Sequence, residues 1–260
     1  MKLATLASGS SGNSTLISGG KTSLLIDAGL SGKSIASRLE ILEVNPQDIT
    51  GILVSHEHRD HTHGVGVLAR KYKIPVYALE ECIPGLGIGE LPQGCCRPVS
   101  AGESLDIGDL KVELFKTSHD SAGSTGVVCH HGGVKVGFAT DTGEVTSDMK
   151  HKLKGCDGLV FEANHDEEML WKGNYPYVLK KRIAAKTGHL SNTDSGHALA
   201  EIIDKNTKRI ILAHLSEENN LPEVALQTVA DILVDCGVPE VAPGLKIRPA
   251  PRHTPQAVEL

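Results

Sequence analysis

The sequence has no apolar stretch that approaches the ~20 residues a bilayer-spanning helix needs. Residues 1–6 are too few for a signal peptide and lead directly into a Gly/Ser-rich loop. The six cysteines include no Cys-x-x-Cys pair, and the adjacent Cys95 and Cys96 are poorly placed to form a disulfide bond with each other. We therefore expect free, buried thiols in a reducing cytoplasm and no association with a membrane.

The sequence also lacks an excess of positive charge, because its formal net charge is −6. This argues against a protein that coats nucleic acid non-specifically. It leaves a nuclease possible, since bound divalent cations and a local basic patch can offset the bulk charge. One such patch is Lys180-Lys181-Arg182 with Lys186. A solvated helix face explains the same residues equally well.

No linker or internal repeat divides the 260 residues, so we expect one domain over 1–260. The tail from Pro239 contains four further prolines and is expected to be extended or frayed. The Gly/Pro-rich segment 84–98 predicts an irregular surface loop. Strand patterns dominate the first half and helix patterns the second. Two facing sheets covered by helices fit this better than one doubly wound sheet.

The most informative motif is His56-x-His58-x-Asp60-His61, which places four metal-capable side chains within six residues. The apolar run 51–55 before it predicts a buried strand, and 62–73 after it predicts a helix. Imidazole and carboxylate donors in this spacing suit zinc or another borderline divalent ion. The alternative is a loop of solvated histidines, but 13 histidines in 260 residues rarely produce this spacing by chance.

Three more candidate ligands each follow an apolar strand pattern: His119 after 110–116, Asp141 after 134–139 and His214 after 209–213. A single residue of this kind is more often a turn residue or a cap. Three of them, at the same strand ends as the His56–His61 motif, predict a metal site at one edge of the fold.

This order of ligands resembles the metallo-β-lactamase superfamily, and Leu25-Ile26-Asp27-Ala28-Gly29 is similar to its first motif. Within the superfamily the chain most resembles the YycJ (WalJ) group. Segments 8–14, 161–166 and 188–192 carry that closer match. The group is regarded as nucleases related to ribonuclease Z and to the phosphodiesterase PhnP. The resemblance extends from Leu3 to about Val238. It implies an α/β fold, a four-layer αββα sandwich, with two metals at one edge.

The resemblance also implies a ligand set for two divalent metals, Zn or Mn with Fe possible. One metal would be held by His56, His58 and His119, the other by Asp60, His61 and His214, with Asp141 bridging both. A hydroxide shared by the metals would attack phosphorus. Because Asp60 would bind one of these metals, it counts among the catalytic candidates.

Two further residues match the positions of a proton-donating pair in ribonuclease Z, where a Glu after a strand pairs with a His ahead of a helix. Here these are Glu162 and His189. The resemblance implies that His189 protonates the leaving group while Glu162 orients its ring and raises its pKa. The alternative is that Glu162 caps a helix beginning near His165 and that His189 is a surface residue.

Supporting roles are expected for residues around the ligands. Asp27 is expected to orient a ligand histidine or a bound water rather than bind metal. The loop Ser8–Ser14, including Ser10, Ser11 and Asn13, could present backbone N–H groups to a phosphate. Ser191 could cap a helix starting near Thr193, whose N-terminus could also receive a phosphate.

The expected function is a metal-dependent phosphodiesterase acting on nucleic acid, specifically a DNA exonuclease as the YycJ resemblance suggests. One alternative is a PhnP-like hydrolase of small cyclic phosphodiesters. A thioester or β-lactam hydrolase is a weaker alternative, because such leaving groups need no Glu162–His189 pair. From a different class, the chain could be a non-catalytic regulatory protein stabilised by metal. The complete ligand set argues against that last possibility.

Overall fold

A computed structural model describes residues 1–260 and contains two mixed seven-stranded sheets. The first sheet has the order β14-β1-β2-β3-β4-β5-β6, and the second β13-β12-β11-β10-β9-β8-β7. The strands, numbered along the chain, are β1 Lys2–Ala7, β2 Ser14–Gly19, β3 Thr22–Ile26, β4 Gly51–Val54, β5 Val76–Leu79, β6 Cys96–Val99, β7 Ser104–Ile107, β8 Leu110–Lys116, β9 Thr125–His131, β10 Val134–Ala139, β11 Gly158–Glu162, β12 Arg209–Ala213, β13 Lys246–Pro249 and β14 Gln256–Glu259.

Nine α-helices connect or flank these strands, and none is both long and apolar enough to span a membrane. They are α1 Gly32–Ile41, α2 Arg59–Thr62, α3 Val65–Tyr72, α4 Ser147–Leu153, α5 Glu167–Lys172, α6 Tyr177–Ile183, α7 Asn192–Ile202, α8 Pro222–Asp235 and α9 Val238–Val241.

Strand alternation in the second sheet explains the layers, because successive side chains point to opposite faces. In β12, Ile211 belongs to the apolar cluster that also contains the first sheet. Its neighbour Leu212 belongs to a second cluster, which includes Leu199 of α7 and Val229 of α8. Helix α1 adds Ile35 to the first cluster. The predicted four-layer α/β sandwich is confirmed.

Of the two alternatives expected for the tail from Pro239, extended or frayed, the structure shows an extended chain from Lys246 that forms two strands, after the short helix α9 at Val238–Val241. Strand β13 pairs parallel with β12, with Lys246 opposite Arg209. Strand β14 pairs antiparallel with β1, with Glu259 opposite Lys2. Both lie at sheet edges, where proline is tolerated because an edge strand leaves some N–H positions unused. The tail therefore completes one edge of each sheet.

The segment 84–98 is irregular only in part. A 3-10 helix covers Glu80–Gly85, and the last residues enter the edge strand β6, which pairs parallel with β5. The four-residue β6 contains Pro98, which hides the strand pattern in the sequence.

Candidate metal centre

The candidate ligands follow strands whose C-terminal ends reach the same edge of each sheet. In the first sheet β3 and β4 are parallel, and they lead to Asp27 and to His56. In the second sheet β10, β11 and β12 are parallel, and they lead to Asp141, Glu162 and His214. Polar side chains that are far apart in sequence are thereby brought together at one rim of the sandwich.

Three residues at this rim have left-handed backbone conformations, which non-glycine residues seldom adopt. Asp27, Asp141 and His214 have φ values of 63°, 57° and 58°. Only two other non-glycine residues in the chain have positive φ, Glu43 and Lys73. Strain of this kind concentrates at functional sites, where the surrounding structure enforces it. At these three residues the left-handed conformation turns the chain sharply where each strand ends.

One cluster of donor atoms contains three histidines, His56, His58 and His119. Their ring nitrogens lie within 4.8 Å of one another, and His119 Nε2 is 3.3 Å from His58 Nδ1. His119 Nδ1–H donates to the Gly188 carbonyl at 3.2 Å, which leaves Nε2 free to bind a cation.

A second cluster contains Asp60, His61 and His214. Asp60 Oδ2 is 3.3 Å from His61 Nε2 and 3.7 Å from His214 Nε2. Asp60 and His61 lie in α2, so the helix following the motif begins at Arg59 rather than at the predicted Thr62. A second helix, α3, then continues from Val65.

The Asp141 carboxylate lies between the two clusters. Its Oδ2 is 3.5 Å from His61 Nε2, and its Oδ1 is 3.8 Å from His119 Nε2. Burial would raise the pKa of this carboxyl group, but His214, His61 and neighbouring histidines hold it well below its usual value. Asp141 is therefore ionised and placed to contact a cation in either cluster.

The donor atoms fit divalent cations on two counts. Three buried ligand atoms have no hydrogen-bond partner, namely His56 Nε2, Asp141 Oδ2 and His214 Nε2, although buried polar atoms normally have one. The surrounding charge also favours cations. Burial opposes protonation of His214, but Asp141, Asp60 and Glu162 together raise its pKa to about 10. These clusters can hold a divalent metal.

Glu162 contacts both the candidate proton donor and a candidate ligand. Its Oε1 accepts from His189 Nδ1–H at 2.9 Å and lies 2.8 Å from His214 Nδ1. Its Oε2 accepts from the backbone N–H groups of Thr142 and Leu190 at 3.0 and 3.2 Å. Burial would raise the pKa of Glu162, but His189 and His214 lower it to about 2.

This arrangement argues against the alternative in which Glu162 caps a helix. The N-cap of α5 is Asp166, whose Oδ1 accepts from the Met169 N–H at 2.9 Å. The His189 side chain is only 20% exposed, so it is not a solvated surface residue. The structure places Glu162 and His189 beside the metal-ligand clusters.

The sequence of the chain matches a known protein family. The profile described as "Beta-lactamase superfamily domain" matches residues 22–215, a stretch that contains all the candidate ligands. The chain belongs to the metallo-β-lactamase superfamily.

Within this superfamily the chain is similar to exodeoxyribonucleases of two bacteria. It is 44% identical over 234 residues to exodeoxyribonuclease YycJ of Bacillus anthracis, covering 89% of each chain. It is 41% identical over 243 residues to exodeoxyribonuclease WalJ of Streptococcus pneumoniae serotype 2 (strain D39 / NCTC 7466), covering 91% of this chain and 90% of that protein. These relatives confirm the resemblance to the YycJ (WalJ) group.

The fold is also that of the superfamily. The metallo-β-lactamase fold protein YhfI from Bacillus subtilis superposes with a TM-score of 0.73 over 99% of both chains, at 16% identity. At that identity the superposition supports the fold alone.

In this superfamily member Asp27 accepts three hydrogen bonds that connect the first motif to the ligands. Its Oδ2 accepts from His61 Nδ1–H at 2.7 Å and from the Ser55 hydroxyl at 2.8 Å. Its Oδ1 accepts from the Ser55 N–H at 2.7 Å. The carboxylate fixes the His61 tautomer and directs Nε2 toward Asp60. Sequence reasoning missed Ser55, although a hydroxyl directly before the motif was a usable signal.

Replacing Asp27 with asparagine should weaken metal binding roughly 10- to 100-fold, because residues that orient a ligand have effects of this size. An amide presents only one acceptor oxygen, so either His61 or Ser55 loses its partner. Titration with a chelator of known affinity measures the change, and Asp48→Asn, at an exposed position, is the control. An unchanged affinity would show that packing alone positions His61.

Gly29 shows why the first motif ends in glycine. A Cβ atom at this position would lie 1.6 Å from the Asp60 carbonyl oxygen and 2.7 Å from the Asn13 nitrogen. We expect Gly29→Ala to displace the Asp60 backbone and to lower metal content by at least half, measured by elemental analysis. Gly244→Ala is the matched control, since nothing lies within 4 Å of its Cβ. Equal metal content in both variants would contradict this account.

The Ser8–Ser14 loop lies against the second ligand cluster. Asn13 N–H donates to the Asp60 carbonyl at 2.8 Å, and Asn13 Nδ2 lies 3.2 Å from Asp60 Oδ2. Ser8 Oγ accepts from the His214 N–H at 2.7 Å, a contact the sequence did not indicate. Ser10 and Ser11 are exposed and make no side-chain hydrogen bond. The loop supports the ligands, and a phosphate contact by Ser10 or Ser11 stays a prediction.

Ser191 is the N-cap of α7. The helix begins at Asn192, one residue before the start predicted near Thr193. Its Oγ accepts from the Asp194 N–H at 3.0 Å and also contacts the Asp194 carboxylate at 2.8 Å. Ser191 is 2% exposed. Its hydroxyl is therefore engaged within the protein, and phosphate binding by this helix end stays a prediction.

In the Lys180–Lys186 patch, two of the four cations pair with carboxylates and a third is buried. Lys180 is buried, and its Nζ donates to the Trp171 and Gly173 carbonyls at 2.8 and 2.7 Å. Arg182 pairs with Asp120, and Lys186 pairs with Glu144. Neither a continuous basic patch nor a uniformly solvated helix face describes this segment. The helix pattern could not reveal these partners because they are distant in sequence.

Proposed function

We propose that this chain is a dinuclear metal-dependent phosphodiesterase that acts on nucleic acid, and that its substrate is DNA degraded from an end. The observation that carries the proposal is the Glu162–His189 pair beside two clusters of candidate ligands, with Asp141 3.5 Å from His61 of one and 3.8 Å from His119 of the other. A proton donor held at a dinuclear site suits substrates whose leaving group is a poorly stabilised alkoxide. The names of the YycJ and WalJ relatives support DNA as that substrate.

His56, His58 and His119 would hold one cation, and Asp60, His61 and His214 the other, with Asp141 shared. Zinc or manganese suits this donor set, and iron is compatible with it. Two divalent cations bound there supply a water nucleophile of lowered pKa and neutralise charge that develops on the phosphate oxygens.

The chain's own residues then provide the proton for the leaving group. Glu162 is fully buried and accepts from His189 Nδ1–H, which fixes the orientation of the ring. In the doubly protonated ring, Nε2–H would then give its proton to the leaving oxygen and Nδ1–H would stay bonded to Glu162. The His189 side chain remains 20% exposed, so a substrate can reach it. All six cysteines are free, which agrees with the cytoplasm as the proposed compartment, although Cys96 and Cys236 are exposed rather than buried as expected.

The test is hydrolysis of end-labelled single- and double-stranded DNA by protein loaded with Mn or Zn, combined with elemental analysis. We expect two metals per chain and progressive shortening from one end. RNA of the same sequence and a circular DNA serve as comparison substrates. Turnover of a small cyclic phosphodiester without activity on any nucleic acid would replace this proposal with a PhnP-like hydrolase. Biological activity that persists in a hydrolysis-deficient Asp60→Ala variant would instead favour a regulatory role.

A further inference from the structure

We propose that Trp171, Tyr177 and Lys181 form a platform on which the unpaired bases of a single-stranded nucleic acid stack, outside the candidate metal centre. This inference rests on the proposed function and assigns a contact surface to its substrate. We refer to these three residues as the stacking platform.

The platform contains exposed aromatic rings in a chain that has few aromatics. The sequence has three Phe, four Tyr and one Trp. All three Phe are buried, whereas Trp171 is 47% and Tyr177 is 63% exposed. The Trp171 and Tyr177 rings lie 6.3 Å apart between centroids. Large exposed apolar groups that lie together mark interaction sites more often than single ones do.

A buried lysine joins the two helical segments that carry the rings. Lys180 Nζ donates to the Trp171 and Gly173 carbonyls, which connects α6 to the end of α5. A buried lysine that satisfies backbone carbonyls fixes the two short helices relative to each other. The backbone that carries the rings is therefore preorganised, which lowers the entropic cost of binding a flexible strand.

Lys181 supplies the positive charge of the platform. Its Nζ lies 4.8 Å from the centre of the Tyr177 ring. Neighbouring Arg182 and Lys186 pair with carboxylates, but Lys181 has no such partner and can meet a phosphate. The net charge of −6 makes general attraction of a polyanion weak. Base stacking, which is independent of net charge, would then supply a substantial part of the binding free energy.

The platform lies on the opposite side of α6 from a cleft that contains His189. Leu179 and Arg182 of α6 line a cleft together with His189. Tyr177 and Lys181 are four residues apart, so they share the side of α6 turned away from that cleft. A helix with its side chains is about 10–12 Å wide. A strand that leaves His189 and crosses α6 would therefore meet the platform within a few nucleotides.

The occupant we infer is single-stranded, because only unpaired bases can place their faces against aromatic side chains. Aromatic rings combined with a cation are the usual elements of surfaces that bind single strands without sequence preference. The platform would hold the strand on one side of the scissile bond and keep an end directed at His189.

Trp171 is the chain's single tryptophan, so its fluorescence reports on the platform directly. The experiment uses a His189→Ala background with Mn, in which the seven candidate ligands are retained and hydrolysis is slowed. Titration with an oligothymidylate of about ten nucleotides, within the range of known single-strand site sizes, should quench Trp171 emission. The anisotropy of a labelled oligonucleotide measures affinity in every variant.

We expect Tyr177→Ala to weaken oligothymidylate binding roughly fivefold or more, the effect of losing one stacked base. Tyr177→Phe should bind like the parent, because the ring is kept. Val234→Ala, at a 62% exposed apolar position on α8, is the control and should leave affinity unchanged.

Binding by anisotropy with unchanged Trp171 emission, together with normal affinity in the Trp171→Ala/Tyr177→Ala double variant, would overturn the platform but leave the proposed function intact. A protein that binds no oligonucleotide and degrades no nucleic acid would overturn both.

Discussion

Replacing Asp141 with asparagine is expected to lower phosphodiester hydrolysis by roughly 1000-fold or more, since metal stabilisation of the transition state contributes several kcal/mol. Asp141 lies between the two ligand clusters and approaches His61, His119 and His214 within 3.4–3.8 Å. An amide keeps the shape of the side chain and removes its charge. We therefore expect metal content to fall from two ions per chain to one or fewer, measured by elemental analysis alongside kcat/KM.

The control for this experiment is Asp106→Asn, because Asp106 is exposed on the edge strand β7 and its side chain contacts no candidate ligand. Thermal unfolding of both metal-free variants separates a local effect from loss of the fold. A fully active Asp141→Asn protein that retains two metals would remove Asp141 from the proposed ligand set. A variant that unfolds below room temperature would instead require Asp141→Glu, which keeps the charge.

That the candidate metal ligands lie close together could be predicted because the signal of each residue is local. His56, His58, Asp60 and His61 lie within six residues, and His119, Asp141 and His214 each follow a strand with a clear pattern. Parallel strands bring their carboxyl ends to one edge, so knowing the strands largely determines which side chains meet. The left-handed conformations of Asp141 and His214 could not be predicted, because neither position is a glycine.

The less predictable features depend on partners that are distant in sequence. The carboxylate of Glu162 contacts both His189 and His214, 27 and 52 residues away. Lys180 is charged, yet it is buried, and its ammonium group donates to the Trp171 and Gly173 carbonyls. The tail strands β13 and β14 have four residues each, and their patterns are too short to be recognised without the strands they pair with. In each case tertiary contacts override the local pattern.

Replacing His189 with alanine should separate proton donation from metal binding. Hydrolysis of DNA should fall about 100- to 10,000-fold, the usual contribution of a general acid. Hydrolysis of bis(p-nitrophenyl) phosphate should change far less, because its phenolate leaves without a proton. Metal content should stay at the parental level, since the seven candidate ligands are retained. His197→Ala, at an exposed position on α7, is the control.

Glu162→Gln should behave differently, because Glu162 contacts both His189 and His214. An amide has one acceptor oxygen, so it can serve the two histidines or the Thr142 and Leu190 N–H groups but not both, and it removes the negative charge. Metal affinity and proton donation should therefore decline together. This variant should therefore lose activity on both substrates, whereas His189→Ala loses it mainly on DNA. Equal losses on both substrates in His189→Ala would assign His189 to positioning or binding. The contrast between the two variants tests whether one buried carboxylate couples the leaving-group proton to the ligand His214.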